Sequence, residues 1–123
     1  SATTSDDSTN EDSLRLSVGV PIYFYFKLNT SQLVTKSQLA NLTEIAKYAK
    51  EHHLTIHITG AADEATGTAK RNRALSIARA RYIAKQFINN GIEKSQMKAV
   101  SLGGIRQFAP KEANRFAMVV LRE

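Results

Sequence analysis

Two segments of this chain alternate apolar and polar residues with a period of two, and each is followed by a segment whose apolar residues recur every three to four positions. This succession constrains the fold more than any composition figure. A strand period and a helix period cannot be exchanged without turning apolar side chains away from the core. In the first strand region, Leu14–Lys27, Ile22, Phe24 and Phe26 face one way and Tyr23, Tyr25 and Lys27 the other, with Pro21 at a start or edge position. Thr35-Lys36-Ser37-Gln38 has the form of a capping box, and Leu39, Leu42, Ala46 and Ala49 then follow at helical spacing to about Lys50. Leu54–Thr59 alternates again and ends at Gly60. After a loop at Ala61–Thr68, a helix is expected over Ala69–Asn89, roughly 30 Å long, with Asn90-Gly91 as its stop. Met97–Leu102 reads as a third strand, Gly103-Gly104 as a turn, and Arg115–Leu121 as a final strand beyond a loop that holds Pro110.

The order β-α-β-α-β-β predicts an α/β (α+β) two-layer sandwich, a mixed four-stranded sheet with two helices on one face. The helical crossovers favour parallel neighbours among the first three strands. At 123 residues the chain holds one domain, expected over residues 14–123. Residues 1–13, SATTSDDSTNEDS, contain no large apolar side chain and are expected to be a disordered acidic leader. No apolar run approaches the roughly 20 residues that span a bilayer.

Charge is unevenly distributed. Asp6, Asp7, Glu11 and Asp12 lie in the leader, which has no Lys or Arg; from residue 14 onward 17 basic residues face 7 acidic ones, a formal +10. Such a body attracts polyanions, whether nucleic acid, anionic lipid or wall polymer. The absence of cysteine excludes disulfides, thiol nucleophiles and Cys-ligated metals. His52, His53 and His57 are close in sequence, but His57 falls on a strand, so their spacing does not converge on a metal. No nucleophile elbow, Walker loop or dinucleotide fingerprint is present, so no catalytic residue, metal or cofactor is assigned.

One residue stands out. Leu75, Arg79 and Ile83 are spaced by four and share the stripe of the long helix that should face the sheet. A guanidinium there is costly unless it is paired or hydrogen-bonded. Asp63, in the strand–helix connection, is the available partner. The two form either a structural salt bridge or the two poles of a pocket for an amino-acid head group, with Asp63 on the ammonium and Arg79 on the carboxylate.

Gly60-Ala61-Ala62-Asp63-Glu64, Thr66-Gly67-Thr68, Asn72, Leu75-Ser76 and Arg79-Ala80 together resemble the signature of the OmpA C-terminal-like family, which includes peptidoglycan-associated lipoprotein and the flagellar stator protein MotB. Phe24 and Phe26 resemble the family's opening F-x-F strand, Leu102-Gly103-Gly104 and Pro110 its late Gly and Pro, and Asn114-Arg115 the start of its N-R-R-V ending. The resemblance spans about Pro21 to Val120. The chain departs from the pattern at Ala61, where the family usually has His or Tyr, at Lys27, where many members are acidic, and at Phe116, in place of the second Arg.

The resemblance implies non-catalytic binding of a diaminopimelate-type peptidoglycan stem peptide, anchoring the outer membrane or an envelope complex to the wall. It implies that Asp63 and Arg79 hold the ligand, that Asn72 shapes the pocket wall and that Ala62 lies at the site. The implied location is periplasmic and outer-membrane-associated, through a segment outside this sequence, with no nucleic acid as partner. Two alternatives stand beside it. One is a divergent domain of the same fold acting as an envelope protein–protein scaffold. The other is a basic nucleic-acid-binding module using Tyr23 and Tyr25 as a stacking face.

Overall fold

The computed structural model describes residues 16–123; the leader expected at residues 1–13 lies outside the described residues. Four strands and two helices follow the expected order: β1 (Ile22–Tyr25), α1 (Gln38–Glu51), β2 (Thr55–Asp63), α2 (Ala69–Asn89), β3 (Met97–Ile105) and β4 (Phe116–Arg122). The sheet order is β1-β4-β2-β3, with β4 antiparallel to both β1 and β2, and β2 parallel to β3. The mixed four-stranded sheet and the two helices are those expected. The neighbours of β1 are not, because β4 inserts between β1 and β2. The reason is visible in β4 itself. Its run Phe116–Leu121 is buried at five of six positions, the mark of a central strand covered on both faces rather than of an edge.

Both helices pack on the face formed by Phe24 and Phe26, Ile56 and Ile58, and Ala117, Val119 and Leu121. Against them lie Leu42, Ile45, Ala46 and Ala49 of α1 and Ala80, Ile83 and Phe87 of α2. Each fully buried large side chain here contributes about 1.5–3 kcal/mol through removal from water. The opposite face carries a smaller cluster, Ala61, Ile105 and Phe116, with Tyr23 and Met118 packed against it.

Three local expectations are corrected. The capping box at Thr35–Gln38 does not form: Ser37 precedes α1 without a side-chain cap, and Gln38 Nε2 instead donates to the Tyr23 carbonyl at 3.1 Å. The helix start is thus tied to β1 rather than closed on itself. Gly60 does not end β2, which continues to Asp63. A Cβ at Gly60 would lie 1.9 Å from the Ser76 carbonyl oxygen, so the glycine is where α2 comes down onto the strand. Gly103-Gly104 is likewise inside a strand. Gly60 pairs with Ser101 and Ala62 with Gly104, so β3 holds one extra residue, and Gly103 with φ +71° supplies the left-handed step of that bulge.

The contact at Gly60 sets a testable requirement. Gly60→Ala is expected to destabilise the domain by at least ~2 kcal/mol, because the obstacle is helix backbone that cannot swing away. Urea unfolding of the two proteins measures this directly.

Candidate functional site

A cleft of about 510 Å³ opens where the β1–α1 connection, the β2–α2 loop and the first turns of α2 meet. Leu28 and Asn29 form one wall, Thr66, Gly67 and Thr68 the rim, and Arg71, Asn72 and Leu75 the helix side. Asp63, Arg79 and Arg115 complete it.

The rim is shaped by Asp63, the last residue of β2 and 3% exposed. Its Oδ1 accepts from the Ala65 amide at 2.9 Å and its Oδ2 from the Thr66 hydroxyl at 3.1 Å. The carboxylate therefore folds the chain back into a turn around itself, as aspartate does after a strand. Thr68 then caps α2, its hydroxyl accepting from the Arg71 amide at 3.1 Å. Asn72, 4% exposed, lies between two glycines: a Cβ at Gly67 would be 3.3 Å from its Oδ1 and a Cβ at Gly104 3.1 Å from its Nδ2. Ser76 accepts from the Gly103 amide at 3.1 Å, joining the helix to the bulge of β3.

Arg79 is 1% exposed, on one buried stripe with Leu75 and Ile83 as the spacing requires. Its guanidinium does not ion-pair with Asp63. It donates through Nε to the Thr30 carbonyl at 2.9 Å, through Nη1 to Ala61 at 2.9 Å and through Nη2 to Lys27 at 3.2 Å. The ring of Phe26 lies 5.5 Å away. Of the five guanidinium N–H groups, one on each terminal nitrogen is left uncommitted by these three bonds. Burial lowers the Arg79 pKa to about 10, the charges of Arg115 and Arg71 add to that shift, and Asp63 opposes it. The group remains a full cation at neutral pH.

The ion partner of Asp63 is Arg115, whose Nη2 approaches Oδ2 at 3.4 Å with the two side chains 10% and 2% exposed. Among the described residues, Arg115 Nε is buried without a hydrogen-bond partner. The salt bridge between Asp63 and Arg79 weighed from the sequence is thus not the pairing observed.

The structure gathers Asp63, Asn72 and Arg79 at one cleft. Ala62 is elsewhere: fully buried in β2, paired with Gly104, and not on the cleft wall. Sequence reasoning missed Arg71 and Arg115 as cleft residues. Arg115 was visible only as part of the Asn114-Arg115 ending, and it meets Asp63 across 52 positions of chain. Asn114 holds that ending in place by exchanging hydrogen bonds with both backbone groups of Phe108, each at 3.0 Å. Two departures from the family pattern answer each other. Ala61 and Phe116 are register partners, so the small residue on β2 makes room for the large one on β4, whose ring meets Tyr23 edge-on at 5.0 Å. Among the described residues, no group of three or more His, Asp or Glu side chains is placed to hold a metal.

Chemically the cleft presents one buried carboxylate among three guanidiniums, walled by small and amide-bearing residues. It offers an acceptor for an ammonium and planar donor forks for carboxylates.

Known proteins resemble this chain in sequence and in fold. The model of the OmpA family matches residues 25–117. Outer membrane protein 40 of Porphyromonas gingivalis is 32% identical over 100 residues, which cover 80% of this chain and 26% of that protein. The chain thus spans about a quarter of that relative's length. The crystal structure of the peptidoglycan-associated lipoprotein from Burkholderia pseudomallei is 31% identical, with a TM-score of 0.72 over 81% of this chain and 89% of that one. The C-terminal domain of Helicobacter pylori MotB, 22% identical, shares the fold with a TM-score of 0.70 over 83% and 84% of the two chains.

The anchoring of Arg79 predicts a stability effect independent of any ligand. Arg79→Lys is expected to lower stability by about 3 kcal/mol, because a single ammonium cannot reach three carbonyls in one plane. Thermal and urea melts of the purified variant check this.

Proposed function

The chain belongs to the OmpA family, and on that premise we propose that it binds a diaminopimelate-type peptidoglycan stem peptide without catalysis, fastening an envelope component to the cell wall. The observation that carries the reading is that Asp63 and Arg79 line one cleft of about 510 Å³. The carboxylate of Asp63 receives the free ammonium of the diamino acid. Arg79, already fixed by three carbonyls, offers its two uncommitted N–H groups to the carboxylate on the same carbon. Because the guanidinium is locked before the ligand arrives, little side-chain entropy is lost on binding. Asn72, wedged between Gly67 and Gly104, sets the width of the site. The Burkholderia pseudomallei relative is a peptidoglycan-associated lipoprotein, which supports the ligand class. Its location follows from the same reading: the domain faces the wall in the periplasm, on the inner side of an outer membrane.

Exposed apolar residues on β3, Val100 at 58% and Leu102 at 48%, favour a second reading in which the fold serves as a protein scaffold.

A chemical-shift titration separates the two. A diaminopimelate-containing stem peptide is expected to give saturable shifts at Ala65–Thr68 and around Arg79. The same peptide with lysine in the third position lacks the carboxylate beside the ammonium and is expected to bind at least tenfold more weakly, since one charge-assisted bond is worth about 1.5–3 kcal/mol. Asp63→Asn keeps the turn-forming oxygen but removes the charge, and it is expected to abolish the shifts of the diaminopimelate peptide at comparable concentrations. Absence of any shift at millimolar peptide would leave the scaffold reading standing instead.

A further inference from the structure

The charge of the cleft does not balance with an amino-acid head group alone. Arg71, Arg79 and Arg115 line it together with a single carboxylate, Asp63. Glu64, next in the chain, is engaged elsewhere, with Arg106 Nε at 3.2 Å. A head group brings one ammonium and one carboxylate, so it adds no net charge and leaves two guanidinium charges unmatched. Burial first, and then the charges of Arg115 and Arg71, weaken the hold of Arg79 on its proton, while Asp63 strengthens it. Arg115, also on the cleft wall, holds a buried Nε donor without an acceptor among the described residues. Arg71 stands on the helix side, steadied rather than consumed: Nε donates to Asn29 Oδ1 at 2.8 Å and Nη2 to the Asn29 carbonyl at 3.4 Å. Three of its five N–H groups remain for a ligand. Asn29 itself takes a left-handed conformation, φ +57°, which turns its backbone at the cleft wall.

We infer that the cleft takes a ligand with a second acidic group beyond the carboxylate of its amino-acid head group, and that Arg71 grips this second acid and selects for it. The inference rests on the stem-peptide reading above and sharpens it. An alanyl-γ-glutamyl-diaminopimelate stem carries two such acids outside the head group, the glutamyl α-carboxylate and the carboxylate at the other end of the diamino acid. Conversion of the selected one to a carboxamide removes the charge while leaving the shape and the head group intact.

The test is a set of chemical-shift titrations with three tripeptides: the fully acidic stem, the stem amidated at the glutamyl α-carboxyl, and the stem amidated at the terminal carboxyl away from the head group. Each is run on the parent protein and on Arg71→Gln. One of the two amidated peptides is expected to bind at least threefold more weakly than the acidic stem, the size appropriate to a partly exposed ion pair. Arg71→Gln is expected to weaken the acidic stem by a similar factor and to leave that sensitive amide unchanged. If both amidated peptides bind within threefold of the acidic stem, the second-acid requirement is overturned while the stem-peptide reading stands. If Arg71→Gln leaves the acidic stem within threefold, or weakens the acidic and sensitive amidated peptides alike, Arg71 does not grip the acid and its assignment is overturned. If the acidic stem itself fails to bind at millimolar concentration, the stem-peptide reading fails and this inference falls with it.

Discussion

The guanidinium of Arg79 ties together parts of the chain that would otherwise have no reason to meet. Its three bonds reach the Lys27 and Thr30 carbonyls in the β1–α1 connection and the Ala61 carbonyl in β2. A charge buried to 1% exposure is tolerable only because each bond goes to a fixed backbone dipole. The result is a connection pinned against α2 and β2, which is what makes Leu28 and Asn29 a wall of the cleft. Without that anchor the site would have a helix side and a rim but no opposite side.

The approach of α2 to the sheet depends on a second constraint, the missing side chain at Gly60. The helix backbone occupies the space a Cβ would need, and this proximity brings Asn72 against Gly104 and Ser76 against the Gly103 amide. The bulge in β3 lies beside the same contact, opposite Gly60 and Ala62. Small residues at Gly60, Ala62 and Gly104 are therefore one feature seen from several positions: a close-packed corner at which a buried aspartate ends its strand.

Much of the fold was legible in the sequence. The helix bounds of α2 were read correctly, its end because Asn90-Gly91 offers a stop, a local signal. The inward alternation of Phe24 and Phe26 and of Ile56 and Ile58 was equally local. Glycine misled twice. Gly60 and Gly103-Gly104 read as breakers, whereas each lies within a strand, because the demand for a small residue came from a helix or a bulge that no local window contains. Of the residues that line the cleft, Asp63, Asn72 and Arg79 were singled out in the sequence, Arg79 because a charge on an apolar stripe needs an explanation. Arg71 and Arg115 were not, since a basic residue on an exposed helix turn or before a strand breaks no local rule.

The sequence by itself determined the elements and the odd position of Arg79, because periodicity and the cost of burying a charge act over a few residues. Only the tertiary structure decided the partners. It placed β4 between β1 and β2, gave Arg79 three carbonyls in place of Asp63, and gave Asp63 to Arg115. Those choices depend on which distant backbone and side-chain groups arrive within hydrogen-bonding distance once the core has closed, and that is a property of the packed sheet and helices rather than of any stretch of chain.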